Sequence, residues 1–206
     1  MYNYAKMLCK GEGVEVNYDE AIKYFLMAIN KDCTNAMCKY ATMLLNGQGV
    51  EVNYEEAIKY YKMAIEKGNT YSKRQYALML ENGLGVEINY EEAIKYYKMA
   101  IDEGDVDSMN NYALMLLNGE GVEVNYKEAI KYFKMAIDKG SVDAMFIYAR
   151  MLENGKGVEV NYKEAIKYYK IAISKGSDDA IFYYARMLEN GKGVEVNYKE
   201  AIKYYK

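Results

Sequence analysis

Hydrophobic residues recur along this chain at helical spacing in two alternating kinds of segment, here called helix A and helix B. In a representative helix A, Ala144–Asn154, the apolar face consists of Ala144, Tyr148, Ala149, Met151 and Leu152. In the following helix B, Tyr162–Lys175, the apolar face consists of Ala165, Tyr168, Tyr169, Ala172 and Ile173, whereas Lys163, Lys167 and Lys170 face water. Both patterns match the 3.6-residue period of an amphipathic α-helix.

An eight-residue motif, Gly-x-Gly-Val-Glu-Val-Asn-Tyr, separates helix A from helix B and returns every 36 residues. It begins at Gly11, Gly47, Gly83, Gly119, Gly155 and Gly191, and Ile88 is its one variant. A fixed period of this length is typical of stacked units that are each too small to bury their own apolar face. We therefore predict one all-α repeat domain over residues 1–206, divided into a partial repeat 1–32, repeats 33–68, 69–104, 105–140 and 141–176, and a partial repeat 177–206.

The ends of the helices carry clear signals. Asn161 precedes helix B and Glu164 follows it three residues later, which is the pattern of a capping box, and the same pair recurs in every repeat. Glycine ends helix B at Gly68, Gly104, Gly140 and Gly176. These signals predict twelve helices, the outer two cut short. The methionines that recur on helix A are expected in the core: Met43, Met79, Met115, Met151 and Met187.

Composition excludes several classes of function. The formal charge of -3 and the absence of a basic stripe argue against nucleic acid, and no apolar run approaches the length of a membrane span. The chain has no histidine and no nucleophile or phosphate-loop motif, so we expect no catalysis, cofactor or metal. Cys9, Cys33 and Cys38 form no repeating disulfide framework, which favours a reducing, intracellular and cytoplasmic setting.

The repeat resembles the Sel1-like family, a relative of tetratricopeptide repeats. The matching positions in one repeat are Ala144, Gly155, Gly157, Val158, Ala165, Ala172 and Gly176, whereas Ala149, Leu152, Asn161 and Tyr168 stand where the family usually or often has Gly, Tyr, Asp and Trp. The resemblance covers the whole chain. It implies a right-handed α-solenoid of antiparallel helix pairs and a family role in scaffolding protein complexes.

Helix A varies most between repeats, and by the same resemblance its variable positions line a concave groove. All three arginines of the chain fall in this set, and arginine suits carboxylate recognition and aromatic stacking. The candidate partner-binding residues are Arg74, Leu78, Asn82, Leu114, Asn118, Phe146, Arg150, Asn154, Phe182, Arg186 and Asn190. Two alternatives stay open: Arg150 and Arg186 could pair with Glu153 and Glu189 one turn later, and each Asn could serve only its own helix end.

Two functions are compatible with this pattern. The first is a non-enzymatic scaffold that binds an extended peptide or protein segment in the groove. The alternative is a regulatory or localisation arm of a larger enzyme, such as a protein kinase. Met1 and Lys206 both fall at helix-interior positions of the repeat, so we also expect either a fragment of a longer protein or end-to-end self-association through the uncapped termini.

Overall fold

The computed structural model describes residues 1–206 as twelve α-helices with no strand. Helix A is odd-numbered and helix B even-numbered, and the helices are α1 (Tyr2–Lys10), α2 (Tyr18–Ile29), α3 (Thr34–Asn46), α4 (Tyr54–Glu66), α5 (Thr70–Asn82), α6 (Tyr90–Asp102), α7 (Val106–Asn118), α8 (Tyr126–Asp138), α9 (Val142–Asn154), α10 (Tyr162–Ser174), α11 (Asp178–Asn190) and α12 (Tyr198–Tyr205). The shortest are α1 and α12, with 9 and 8 residues. The predicted helix number and pattern are confirmed.

The helices form two compact units, Met1–Asp105 and Val106–Lys206. In the first unit, each helix A packs on the helix B that follows it, and α2 and α4 also pack on the next helix A. The second unit repeats this arrangement, with α8 and α10 packing on the next helix A. Each unit therefore buries its apolar faces between neighbouring helices, and the methionines predicted for the core are at most 2% exposed.

The second glycine of the loop motif contacts the first residue of helix B of the preceding repeat. Gly157 has a φ of +73°, and a Cβ built on it would lie 2.2 Å from Cβ of Tyr126, at the start of α8. Gly49, Gly85 and Gly193 approach Tyr18, Tyr54 and Tyr162 in the same way. Only glycine combines this backbone conformation with so close a contact. The motif residues Gly and Tyr therefore join successive repeats.

The helix B caps differ from the predicted capping box in one bond. The Oδ1 atom of Asn161 accepts a hydrogen bond of 3.0 Å from the backbone N–H of Glu164, as predicted. The backbone N–H of Asn161, however, donates to the carbonyl of Leu152 at 2.9 Å and not to Glu164. The carbonyls of the last turn of helix A lack partners within that helix, so the returning loop satisfies one of them. The second predicted bond of the capping box, from the Asn161 N–H to the Glu164 side chain, was wrong.

Candidate functional site

Arg150 of α9 and Arg186 of α11 lie against three aromatic rings on the helix A face of the second unit. The Arg150 Cζ atom is 4.6 Å from the ring centre of Tyr183 and 5.9 Å from that of Phe146. The Arg186 Cζ atom is 5.8 Å from Phe182 and 5.7 Å from Tyr183. Phe182 is 50% exposed, and both arginines are exposed. These five residues are called the arginine–aromatic cluster.

Neither arginine of this cluster forms an ion pair with the glutamate one turn later. Glu153 accepts hydrogen bonds from the Tyr169 hydroxyl at 2.8 Å and from Lys192 Nζ at 3.0 Å. Glu189 accepts from the Tyr205 hydroxyl at 3.0 Å. The alternative in which each arginine pairs with a glutamate of its own helix is therefore wrong. Both guanidinium groups remain available to pair with a carboxylate of a partner.

Glutamates near the end of helix A form hydrogen bonds with tyrosines of helix B sixteen residues later. Tyr97 donates to Glu81 at 2.5 Å, as Tyr169 does to Glu153. In two other repeats an apolar helix A residue is matched by a helix B ring without a hydroxyl, in the pairs Cys9 and Phe25 and Leu117 and Phe133. Leu45 and Tyr61 are the exception, and there the Tyr61 hydroxyl shares a hydrogen bond of 3.0 Å with Thr42.

This pairing has a physical cause. The rings of Tyr61, Tyr97 and Tyr169 are fully buried, and a buried hydroxyl without a partner is costly. Burial first, and then the Glu153 carboxylate, raise the pKa of Tyr169 well above its usual value, so the phenol stays a proton donor. Except at Leu45 and Tyr61, the sequence matches Glu with Tyr and an apolar residue with Phe. Comparison of residues sixteen apart could therefore have identified these glutamates as hydrogen-bond partners of helix B tyrosines.

A cleft of about 240 Å³ lies between α7 and α9 in the second unit. It is lined by Leu114, Leu117, Asn118, Ile147, Arg150, Met151, Asn154 and Lys156, and is called the α7–α9 cleft. Four of the predicted residues, Leu114, Asn118, Arg150 and Asn154, therefore share one site. Sequence reasoning missed Ile147, Tyr183 and Lys156, although each occupies a position that also varies from repeat to repeat.

Arg74, in the first unit, has a different environment from the other two arginines. Its Nη1 atom lies 3.3 and 3.2 Å from the two carboxylate oxygens of Asp105, and both side chains are largely buried. The guanidinium also lies 5.0 Å from the Tyr71 ring centre. Binding of a partner by Arg74 stays a prediction, and it requires competition with this ion pair. Leu78, one turn later, is half-buried.

The residue before Arg74 is a lysine in a core position. Lys73 is only 5% exposed, and it donates to Glu103, which also accepts a 2.6 Å hydrogen bond from Thr70. These bonds, that of Lys73 first, hold the pKa of the Glu103 carboxyl below its usual value. The equivalent positions carry Met37, Met109 and Met145, so this ion pair replaces apolar packing in one repeat.

Comparison with known proteins adds the family. The model of the Sel1 repeat matches residues 1–33, 34–69, 70–105, 106–141, 142–177 and 178–206. The chain belongs to the Sel1 repeat family. The internal boundaries lie one residue after those predicted from the 36-residue period. Members of this family generally act as scaffolds for protein–protein interaction. No curated protein matches the chain.

Solved structures of Sel1 repeat proteins have the same fold. A Sel1 repeat protein from Oxalobacter formigenes is 25% identical, with a TM-score of 0.92 over 99% of this chain and 84% of its own. The protein c5321, a protective antigen of uropathogenic Escherichia coli, is 28% identical, with a TM-score of 0.81 over 99% of this chain and 44% of its own. The predicted all-α class of Sel1-like helix pairs is confirmed.

The asparagines that end helix A in these Sel1 repeats use their amide groups locally. Asn82, Asn154 and Asn190 donate from Nδ2 to the carbonyl four residues earlier, at 2.8, 2.8 and 2.7 Å. Asn118 donates to the Glu120 carboxylate at 3.0 Å. This geometry is the one expected if each Asn serves its own helix end. A role of these side chains in partner binding stays a prediction.

The Sel1 repeats contain no helix that is both long and apolar enough to cross a bilayer. The three cysteines are free thiols, and Cys9 is buried.

Proposed function

We propose that this chain is a non-enzymatic scaffold that binds an extended segment of a partner protein on the helix A face of its second unit. The observation that carries the proposal is the arginine–aromatic cluster. Its two guanidinium groups have no carboxylate partner, and one of its rings, Phe182, is half exposed. The general scaffolding role of the Sel1 repeat family supports the same function.

The chemistry of the cluster favours a peptide with acidic and apolar side chains. Stacking on Tyr183 and Phe182 limits the motion of Arg150 and Arg186, so less side-chain entropy is lost when they bind a carboxylate. Arginine and tyrosine, both present in the cluster, are among the residue types most enriched where binding energy is concentrated in protein interfaces. The partner side chains would cover Phe182 and pair with the guanidinium groups.

The spacing of the helices suits an extended chain. The side chains of α9 and α11 are in contact on this face, since the ring centres of Phe146 and Tyr183 lie 5.3 Å apart. An extended peptide advances about 3.3 Å per residue, so a segment of a few residues would cross from α9 to α11. The net charge of -3 disfavours nucleic acid as the partner, and the free cysteines fit the predicted reducing cytoplasmic setting.

Selection of phage-displayed random peptides on the intact chain tests the proposal. A selected peptide, made synthetically, should bind the wild type and lose at least about tenfold in affinity on the Arg150→Ala/Arg186→Ala double variant. The matched control is Lys163→Ala/Lys167→Ala, which removes two cations from the exposed face of α10 and should leave affinity unchanged. Far-UV circular dichroism should be the same for all three proteins. Equal affinities across the set, or no selected peptide, would refute the proposal.

A further inference from the structure

Two neighbouring sites in the second unit are built from equivalent positions but are filled differently. Between α9 and α11, Tyr183 packs on Arg150, and the buried Glu153 carboxylate bonds to Lys192 in the loop of the next repeat. The 3.0 Å contact between Glu153 Oε1 and Lys192 Nζ shows what a lysine at this loop position binds when an acid is present.

The α7–α9 cleft keeps the lysine and lacks the acid. Lys156 is the equivalent of Lys192, but the position of Glu153 is occupied by Leu117 and that of Tyr183 by Ile147. Lys156 forms no ion pair, and its Nζ atom lies 5.9 Å from the ring centre of Tyr126. The cleft thus has an apolar floor, with the cations Lys156 and Arg150 at its rim.

We propose that the α7–α9 cleft receives an acidic side chain of the bound peptide, whose carboxylate pairs with Lys156 and Arg150 as Glu153 pairs with Lys192. This inference rests on the proposed function and names the chemistry of its ligand. An apolar side chain two residues away, about 7 Å along an extended chain, contacts Leu114, Leu117 and Ile147. The apolar floor lowers the local dielectric constant, and the ion pair is stronger there than in open water.

The neighbouring repeat suggests a variant in which a side chain of the protein itself pairs with Lys156. Leu117→Glu combined with Phe133→Tyr installs the acid and hydroxyl pair already present at Glu153 and Tyr169. The new carboxylate should bond to Lys156 and occupy the site of the ligand acid. We expect this double variant to bind a selected peptide about tenfold more weakly, and Lys156→Ala to bind it about fivefold more weakly.

The peptide probe is prepared in three forms, all amidated at the C-terminus: the selected sequence, the sequence with its acidic residue changed from Glu to Gln, and the sequence with Lys at that position. The wild type should prefer Glu over Gln, and Lys156→Ala should not distinguish them. Lys156→Glu should prefer the Lys form. This charge exchange also tests the inference if the Leu117 and Phe133 double variant fails to fold.

The outcomes separate the two proposals. If affinity falls on Arg186→Ala but is unchanged by Lys156→Ala, by the Leu117→Glu/Phe133→Tyr variant and by the Glu to Gln change, the cleft inference is wrong and the proposed function stands. If no peptide binds the wild type, both are wrong.

Discussion

The hydrogen bond between Glu153 and Tyr169 allows the sharpest test of how this fold is stabilised. The Tyr169 ring is fully buried and Glu153 is 8% exposed, so each polar group depends on the other. Glu153→Leu leaves the phenol hydroxyl without its acceptor, and Tyr169→Phe removes one of the two donors to the carboxylate. Each single change should cost about 1 to 3 kcal/mol of unfolding free energy.

The double variant Glu153→Leu/Tyr169→Phe should cost much less than the sum of the two single changes. It recreates the Leu117 and Phe133 pair, which is already buried in the preceding repeat, and it leaves no unpaired polar group apart from Lys192, which is partly exposed. The coupling free energy between the two positions should therefore be about 1 to 3 kcal/mol.

Urea unfolding followed by circular dichroism measures this coupling. Data for the wild type, the two single variants and the double variant are fitted together to a nearest-neighbour repeat model. The matched control is the Glu189 and Tyr205 pair, where Tyr205 is 45% exposed and water can replace the lost partner, so its coupling should be smaller. If the effects of the Glu153 and Tyr169 changes add within about 0.5 kcal/mol, the hydrogen-bond argument is wrong.

The buried Tyr169 also predicts that the unfolding free energy depends on pH in alkaline solution. The folded-state pKa of Tyr169 is raised above its unfolded value, mainly by burial, so its contribution to stability is complete below the unfolded pKa of about 10. That contribution is lost as the pH rises from there toward the folded pKa. Tyr169→Phe should make the unfolding free energy fall less steeply above about pH 10, and an unchanged slope would contradict the assignment.

Three further predictions concern the framework of the repeats. Asn161→Ala removes the N-cap bond to Glu164 and should cost about 1 kcal/mol in urea unfolding, whereas loss of nothing would show that the loop alone holds α10. Gly157→Ala should cost more than about 2 kcal/mol because its Cβ meets Tyr126, whereas Gly176→Ala, with open space around it, should cost only about 1 to 2 kcal/mol. Lys73→Met should stay within about 1 kcal/mol of the wild type at neutral pH, since methionine fills the equivalent core positions. Because Lys73 lowers the pKa of Glu103, the Lys73→Met variant should lose less unfolding free energy than the wild type as the pH falls through that pKa. The same acid dependence of the unfolding free energy in both proteins would contradict this.

The candidate site could be predicted only in part. Sequence reasoning grouped Arg74 with Arg150 and Arg186 because all three occupy variable positions of helix A. Arg74, however, lies one helical turn earlier in its repeat and pairs with Asp105, thirty-one residues along the chain. Periodicity reports which face of a helix a residue occupies, but it does not report which side chain of another element lies within reach.

Local physics explains why the framework could be predicted from the sequence. Apolar residues at 3.6-residue spacing, an Asn that accepts from the third N–H of helix B, and glycines with positive φ at the helix ends each act within a few residues, so twelve helices and their faces are encoded in short segments. Tertiary structure decided the rest, because it depends on contacts between helices. It paired Glu153 with Tyr169 and Lys192, and so left Arg150, Arg186 and Lys156 as the cations without a carboxylate on the second unit's helix A face.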